Sequence, residues 1–345
     1  MVFHLTLLKL YFTAYARNVR KMKRNTRILT AAIFVAMIVP LVFSCSKKEP
    51  SGGKKDGISI VATIFPEYDW VRQITGSNEK INLSLLMKNG VDMHSFTPTT
   101  KDMINLSTCD ILIYVGGESD AWIQSALKNK TNKNLVEINL MKILGDGIKE
   151  EELVEGMEAE EECEEEEVEE TEYDEHVWLS VKNAKVLCKK ITAEICRLLP
   201  EDSESFEKNL SAYIKQLDEL DDEFKTACDS LDSKTLIFCD RFPFRYFTDD
   251  YNLDYYAAFL GCSAESEASF KTIAFLGKKV DELAAKKVFV LEKSDQKIAR
   301  TVIANSKAKD AKIIVMDSMQ SATDSDIKNG KTYISAMKKN LESLR

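Results

Sequence analysis

Two kinds of apolar segment alternate along the chain from residue 58 onward. Short runs rich in β-branched residues predict four strands, at 58–63, 81–87, 111–116 and 135–138. Between these runs the apolar residues follow helical spacing, as in 68–74 and 102–106. Alternating strands and helices are typical of a mainly parallel sheet with helices packed on it. This part of the chain therefore predicts an α/β lobe.

The same alternation returns after residue 233. Four further β-rich runs predict strands at 235–239, 255–259, 287–291 and 312–316. Helical spacing lies between them, at 269–284 and 296–306, and a last amphipathic helix begins near Tyr333. We therefore expect a second α/β lobe similar to the first, each with roughly four strands.

A purely helical region separates the two predicted lobes. Ser180 is a good N-cap for a first helix, which Pro200 ends. A second helix begins near Asp202, and its apolar residues form one continuous stripe without Gly or Pro. A single long helix between two lobes predicts a stiff connector. The predicted domains are an N-terminal lobe at 58–179, a connector at 180–232 and a C-terminal lobe at 233–345.

The N-terminal segment 1–44 has the pattern of a secretory signal peptide. Its positive charge precedes an apolar run at 28–43, which is shorter than the roughly 20 residues of a spanning helix. Met22 is a second candidate start. The order Ser44-Cys45 resembles a bacterial lipobox, which implies that Cys45 becomes the lipidated first residue of the mature protein. The alternative is a simple N-terminal membrane anchor.

Charge and cysteine usage narrow the class of protein further. The chain has 345 residues and a net charge of −9, and the loop 150–175 supplies the acidic character. A polar tether at 45–57 precedes the lobes. Outside the acidic loop, the net charge of the chain after this tether is nearly zero, and no basic patch for nucleic acid is present. Apart from Cys45, seven cysteines remain and no CxxC occurs. An odd number without CxxC favours small buried residues over a disulfide framework or zinc ribbon.

Histidine is scarce, so its positions are informative. Beyond the signal segment only His94 and His176 remain, each on a predicted loop at the end of an element. Loops of this kind commonly carry binding residues, although either histidine alone could be structural.

The segments around these histidines resemble a known family. G-V-D-x-H-x-F-x-P at 90–98 and D-x-H-V-W-L-S at 174–180 are similar to signature segments of the zinc- and manganese-binding solute-binding proteins of ABC transporters, often called cluster A-I. Further matching pieces are 110–114, 244–247 and 332–341. The resemblance implies two lobes joined by a long rigid helix, with the metal in the cleft between them. It also implies a monomeric lipoprotein on the outer face of the bacterial cytoplasmic membrane that delivers metal to a permease.

The resemblance implies a ligand set as well. His94 and His176 match two ligands, and Glu292, at the end of a late strand, matches a third. The fourth family position falls on Arg241, which cannot ligate because a guanidinium has no acceptor. We therefore expect Asp240 as the fourth ligand and Arg241 beside the site or gating it. Alternatives to Asp240 are the Cys239 thiolate and a water molecule.

Two imidazoles with two carboxylates favour zinc and do not exclude manganese. The acidic loop 150–175 is either a solvated charge run or a metal-gathering segment. The resemblance implies the second reading, because zinc-binding members of that family often carry an acidic, His-rich insertion there, although this loop has acids and no histidine before His176. Two other classes stay open: an exported metallohydrolase, and a surface interaction lipoprotein that uses the acidic loop. Against the hydrolase, the sequence has no HExxH, nucleophile elbow or P-loop, and no third histidine for a general base.

Overall fold

The first half of the chain forms a four-stranded sheet that is parallel throughout, in the order β2-β1-β3-β4. Its strands are β1 (Ile58–Ala62), β2 (Ile81–Leu85), β3 (Ile111–Tyr114) and β4 (Val136–Asn139). Its helices are α1 (Phe65–Thr75), α2 (Thr100–Thr108), α3 (Ala121–Leu127) and α4 (Leu140–Leu144). All four predicted strands are present. The two central strands, β1 and β3, contain most of the buried residues of this sheet, as in a parallel sheet covered by helices.

Two helices follow, both within the range 180–232 of the predicted connector. They are α5 (Val181–Leu198) and α6 (Ser203–Asp229). Ser180 caps α5 as expected, since its hydroxyl accepts a hydrogen bond from the Asn183 backbone N–H at 3.0 Å. The 27-residue α6 buries one stripe of side chains, including Phe206, Leu217 and Phe224.

The second half forms a second parallel sheet, in the order β6-β5-β7-β8. Its strands are β5 (Thr235–Phe242), β6 (Asp254–Leu260), β7 (Lys287–Leu291) and β8 (Lys312–Met316). Its helices are α7 (Arg245–Asp250), α8 (Phe270–Glu282), α9 (Lys297–Asn305), α10 (Asp324–Lys328) and α11 (Tyr333–Leu344). The predicted fold class, two parallel four-stranded α/β lobes with a long helix, is confirmed.

One hydrophobic core runs through both lobes. Trp70 on α1 packs edge-on against Tyr333 on α11, with ring centroids 5.4 Å apart. Trp178 donates its indole N–H to the Ser318 carbonyl at 2.8 Å, and the Tyr333 hydroxyl donates to the Trp178 carbonyl at 2.8 Å. These buried polar contacts fix the first half of the chain against the second, because breaking them would leave buried groups unsatisfied.

The computed structural model describes residues 57–128, 130–157, 172–263 and 267–345. These residues belong to one compact unit, Asp56–Arg345. The predicted signal peptide, the lipidation site Cys45, nearly all of the tether and residues 158–171 of the acidic loop lie outside them. Within the described ranges, every helix is too short or too polar to cross a bilayer.

Candidate metal site

His94 lies in a short 3₁₀ turn, Met93–Ser95, that follows the carboxyl end of β2. The chain reverses at Asn89 and Gly90, whose φ angles of 65° and 75° are in the left-handed region that glycine and asparagine tolerate. Asp92 caps the turn, because its carboxylate accepts the His94 backbone N–H at 3.1 Å. These residues hold the backbone of the turn that carries the His94 side chain.

His176 is fully buried and lies just before the 3₁₀ turn Val177–Leu179. Asp174 holds it twice, accepting the His176 backbone N–H at 2.8 Å and facing its ring Nδ1 at 3.1 Å. An isolated antiparallel bridge between Glu150 and Tyr173 closes the base of the acidic loop immediately before this segment. His176 is therefore oriented by its own loop.

The two imidazoles converge on one point. Nε2 of His94 lies 3.2 Å from Nε2 of His176, while Nδ1 of His94 faces the Ser119 hydroxyl at 2.8 Å. Each ring thus has its Nδ1 held by the protein and its Nε2 directed at the other ring. Burial, followed by the neighbouring His176, lowers the pKa of His94 to about 3. A neutral imidazole with a free lone pair is the form that binds a metal ion.

A third side chain that the sequence analysis did not select completes a cluster. Cys262, after the carboxyl end of β6, brings Sγ into a group with the two Nε2 atoms in which all lie within 4.8 Å of one another. Gly261 makes this approach possible, because a Cβ there would lie 2.9 Å from Cε1 of His176. Burial, and then the nearby carboxylates of Glu151, Glu175 and Asp174, raise the pKa of Cys262.

Arg241 contacts the loop that carries His94. Its guanidinium pairs with Asp92 at 2.6 Å and donates to the Ser263 carbonyl at 3.4 Å. Burial favours the neutral acid, but Arg241 outweighs it and lowers the pKa of Asp92. With the amide orientation that satisfies its neighbours, Gln320 donates to Asp92 at 3.2 and 3.3 Å. Its amide oxygen lies 2.5 Å from Nε2 of His176, a contact that a metal ion bound to Nε2 would replace.

The two predicted carboxylate ligands have protein partners. Asp240 accepts the Arg241 backbone N–H at 2.9 Å and the Leu291 N–H at 3.2 Å. Glu292 accepts three hydrogen bonds, from the Ser318 N–H and hydroxyl and from the Ser321 hydroxyl, at 2.9 to 3.1 Å. Neither acid belongs to the cluster of close ligand atoms formed by described residues. Both stay predicted ligands.

The remaining alternative, Cys239, lies inside the second lobe. It is 1% exposed and packs in the core with Phe259 and Val290. Burial, followed by the adjacent Asp240, raises the pKa of this thiol well above its ordinary range. Cys239 and Asp240 lie where the register between β5 and β6 shifts, between Phe238 and Arg241.

Comparisons with known proteins agree with this fold. A family model described as the zinc-uptake complex component A, periplasmic, matches residues 60–345. The high-affinity zinc uptake system protein ZnuA of Bacillus subtilis is 31% identical over 316 residues, which cover 90% of this chain and 95% of that protein. The zinc-binding protein AdcA of Streptococcus pyogenes is 28% identical over 292 residues. That match covers 84% of this chain and 55% of AdcA. The chain therefore spans about half the length of AdcA.

Solved structures give the same result. The zinc-bound ZnuA-like domain of Streptococcus pneumoniae AdcA superposes with a TM-score of 0.66 at 27% identity, covering 84% of this chain and 97% of that one. The metal-dependent lipoprotein YcdH of Bacillus subtilis gives 0.67 at 28% identity, covering 83% and 97%. The family model matches most of the sequence, and the fold has the two parallel sheets and the long helix of the solved relatives. The chain therefore belongs to the ZnuA family of zinc-uptake components.

Proposed function

We propose that this protein is the extracytoplasmic receptor that captures Zn²⁺ and delivers it to the membrane permease of an ABC transporter. The observation that carries the proposal is the 3.2 Å separation of the His94 and His176 Nε2 atoms. Two nitrogens bound to one tetrahedral zinc, each at about 2.0–2.1 Å, lie about 3.3 Å apart. The pair is therefore already spaced for one cation, with Ser119 and Asp174 holding the other side of each ring.

The relatives support zinc as the captured ion. The Bacillus subtilis relative is named a high-affinity zinc uptake system protein, and the streptococcal relatives are named zinc-binding proteins. Manganese is the alternative, since it prefers oxygen ligands and Asp240 and Glu292 are candidates for the remaining positions. Each acid accepts hydrogen bonds from protein groups and keeps lone pairs with which it could bind the cation.

Membrane attachment through Cys45 is the second part of the proposal. The Streptococcus pneumoniae relative is named a zinc-binding lipoprotein, and YcdH is described as a metal-dependent lipoprotein. The Ser44-Cys45 pair after an apolar run fits this chemistry. A lipid on Cys45 and the tether to residue 57 would keep the receptor on the outer face of the cytoplasmic membrane, close to its permease.

A metal competition titration on the metal-free mature protein tests the function. We expect one high-affinity Zn²⁺ site with weaker Mn²⁺ binding, and a zinc-dependent rise in melting temperature. A ligand in thousandfold excess over Kd stabilises the folded state by about 4 kcal/mol. His94→Ala and His176→Ala should each remove most of this rise, whereas the exposed control Asp249→Asn should keep it. Zinc binding that survives both histidine substitutions, or turnover of common hydrolase substrates, would overturn the proposal.

A further inference from the structure

We infer that Cys262 is the third protein ligand of this metal, so that the site is a His-His-Cys centre in which Cys262 takes the position predicted for Asp240. The inference rests on the proposed function and names a ligand for it. It starts from the cluster in which His94 Nε2, His176 Nε2 and Cys262 Sγ lie within 4.8 Å of one another. A zinc ion bound at about 2.3 Å to sulfur and about 2.0–2.1 Å to nitrogen needs only a small closure of this triangle.

The sheet order explains how a ligand can come from this loop. β6 lies next to β5 in the second sheet, and the two strands are parallel, with Arg241 opposite Phe259. Residues just beyond Phe259 therefore reach the same edge of the sheet as Arg241. Cys262 is one of them, so a ligand lost at the end of β5 is replaced from the end of the neighbouring strand.

The backbone around Cys262 is held close to the histidines. Gly261 packs so tightly that an added Cβ would lie 2.8 Å from the Phe242 carbonyl oxygen and 2.9 Å from Cε1 of His176. Arg241 donates to the Ser263 carbonyl on the other side of the cysteine. The loop is thus fixed on both sides of Cys262, which limits how far Sγ can move from the two imidazoles.

The competing carboxylate lacks these features. One carboxylate oxygen of Asp240 accepts the Arg241 N–H and the other accepts the Leu291 N–H. Asp240 therefore connects β5 to the end of β7. Cys262 instead lies near the Glu151 carboxylate, whose negative charge is one of the causes of its raised pKa. When zinc forms the Zn–S bond, the S–H bond breaks and the thiol proton is released to solvent. A thiolate with two imidazoles is a softer ligand set than two imidazoles with two carboxylates, and it favours Zn²⁺ over Mn²⁺.

Cobalt spectroscopy and zinc titration on the reduced mature protein test the inference. Co²⁺ bound to the parent protein should show near-ultraviolet thiolate charge-transfer absorption. Cys262→Ser should lose that absorption and weaken zinc binding by at least about tenfold, with a smaller effect on Mn²⁺. The matched control is Cys196→Ser, a half-buried cysteine on α5, which should keep both properties.

Two further variants separate the possible failures. Asp240→Asn should keep the thiolate absorption and bind zinc within a few-fold of the parent. If Cys262→Ser keeps the absorption or the affinity while His94→Ala abolishes binding, Cys262 is not a ligand and the zinc receptor proposal stands. If His94→Ala also binds zinc like the parent, the receptor proposal itself fails. A melting transition in each metal-free variant shows that it is folded.

Discussion

Arg241 and Asp92 form an ion pair of 2.6 Å that joins the end of β5 in the second lobe to the loop after β2 in the first. Asp92 also accepts the His94 backbone N–H and is approached by the Gln320 amide. One carboxylate therefore connects a metal-site histidine with two residues of the opposite lobe. Arg241 cannot bind the cation, yet it holds the turn that presents His94.

Replacing Arg241 should weaken metal binding without removing it. In Arg241→Gln the charge on Asp92 loses its partner, the turn that carries His94 is held less firmly, and zinc affinity should fall by about tenfold through faster release. Stopped-flow zinc release into a chelator measures this rate. Arg300→Gln, an exposed arginine on α9 of the same lobe, is the control. An unchanged release rate in Arg241→Gln would show that the ion pair does not act on the site.

Asp174 should matter to the metal through His176. Its carboxylate faces Nδ1 of His176 at 3.1 Å and accepts the same residue's backbone N–H. Asp174→Asn keeps the size of the side chain and removes the charge, so zinc affinity should fall by about 10- to 100-fold. Competition titration measures it, with Asp249→Asn as the control because Asp249 pairs with Lys149 at the surface. Parent-like affinity in Asp174→Asn would contradict this role.

The helices and strands were predictable because the hydrophobic spacing and the capping residues that indicate them are local in the sequence. Each of the eight predicted strands after residue 57 is present, and Ser180 caps the helix that its hydroxyl predicts. The two histidines were predictable because they are scarce and lie in segments that resemble a family. The positions of Cys262 and Gln320 were not predictable from the sequence. Cys262 reaches the site through the sheet order β6-β5-β7-β8, and Gln320 reaches it through contacts with Asp92 and His176 of the first half of the chain. A cysteine directly after glycine at a strand end was the available signal.

Residues 158–171 of the acidic loop should be dispensable for the high-affinity site. The candidate ligands lie outside this segment, and the Glu150–Tyr173 bridge closes the loop's base without it. Joining residues 157 and 172 through a short Gly-Ser linker should therefore leave one tight zinc site in calorimetric titration. Weaker additional binding should disappear if the clustered carboxylates collect cations. Loss of the tight site would place a ligand inside the loop.

Cys45, which lies outside the described residues, should determine where the protein resides. Cys45→Ala removes the acyl acceptor, so the protein should stay unprocessed or leave the membrane fraction, while its zinc affinity is unchanged. Intact-mass analysis of the membrane-extracted parent should show a mature start at Cys45 with acyl chains. Cys196→Ser should behave as the parent in fractionation. A different mature start without acyl chains would contradict the anchor.

Glu67 gives the fold a dependence on pH that is separate from the metal site. Its fully buried carboxylate accepts the Thr63 N–H at 2.8 Å and the Ile64 N–H at 3.2 Å. Its second oxygen is buried without a hydrogen-bond partner among the described residues. Burial, followed by the nearby Asp120, raises the pKa of Glu67 from 4.5 to about 8. Between these two values the folded state therefore holds a proton on Glu67 that the unfolded chain has released.

The free energy of unfolding should fall as pH rises through this window, because the folded state binds more protons than the unfolded state. One such group contributes a slope of up to about 1.4 kcal/mol per pH unit. Glu67→Gln keeps an acceptor for both backbone N–H groups and cannot ionise, so its unfolding free energy should exceed the parent's at pH 8 and approach it near pH 5. Urea unfolding of the metal-free protein across this range measures the difference, with exposed Glu79→Gln as the control. A parent and a Glu67→Gln variant with parallel pH profiles would show that Glu67 is ionised in the folded protein at neutral pH.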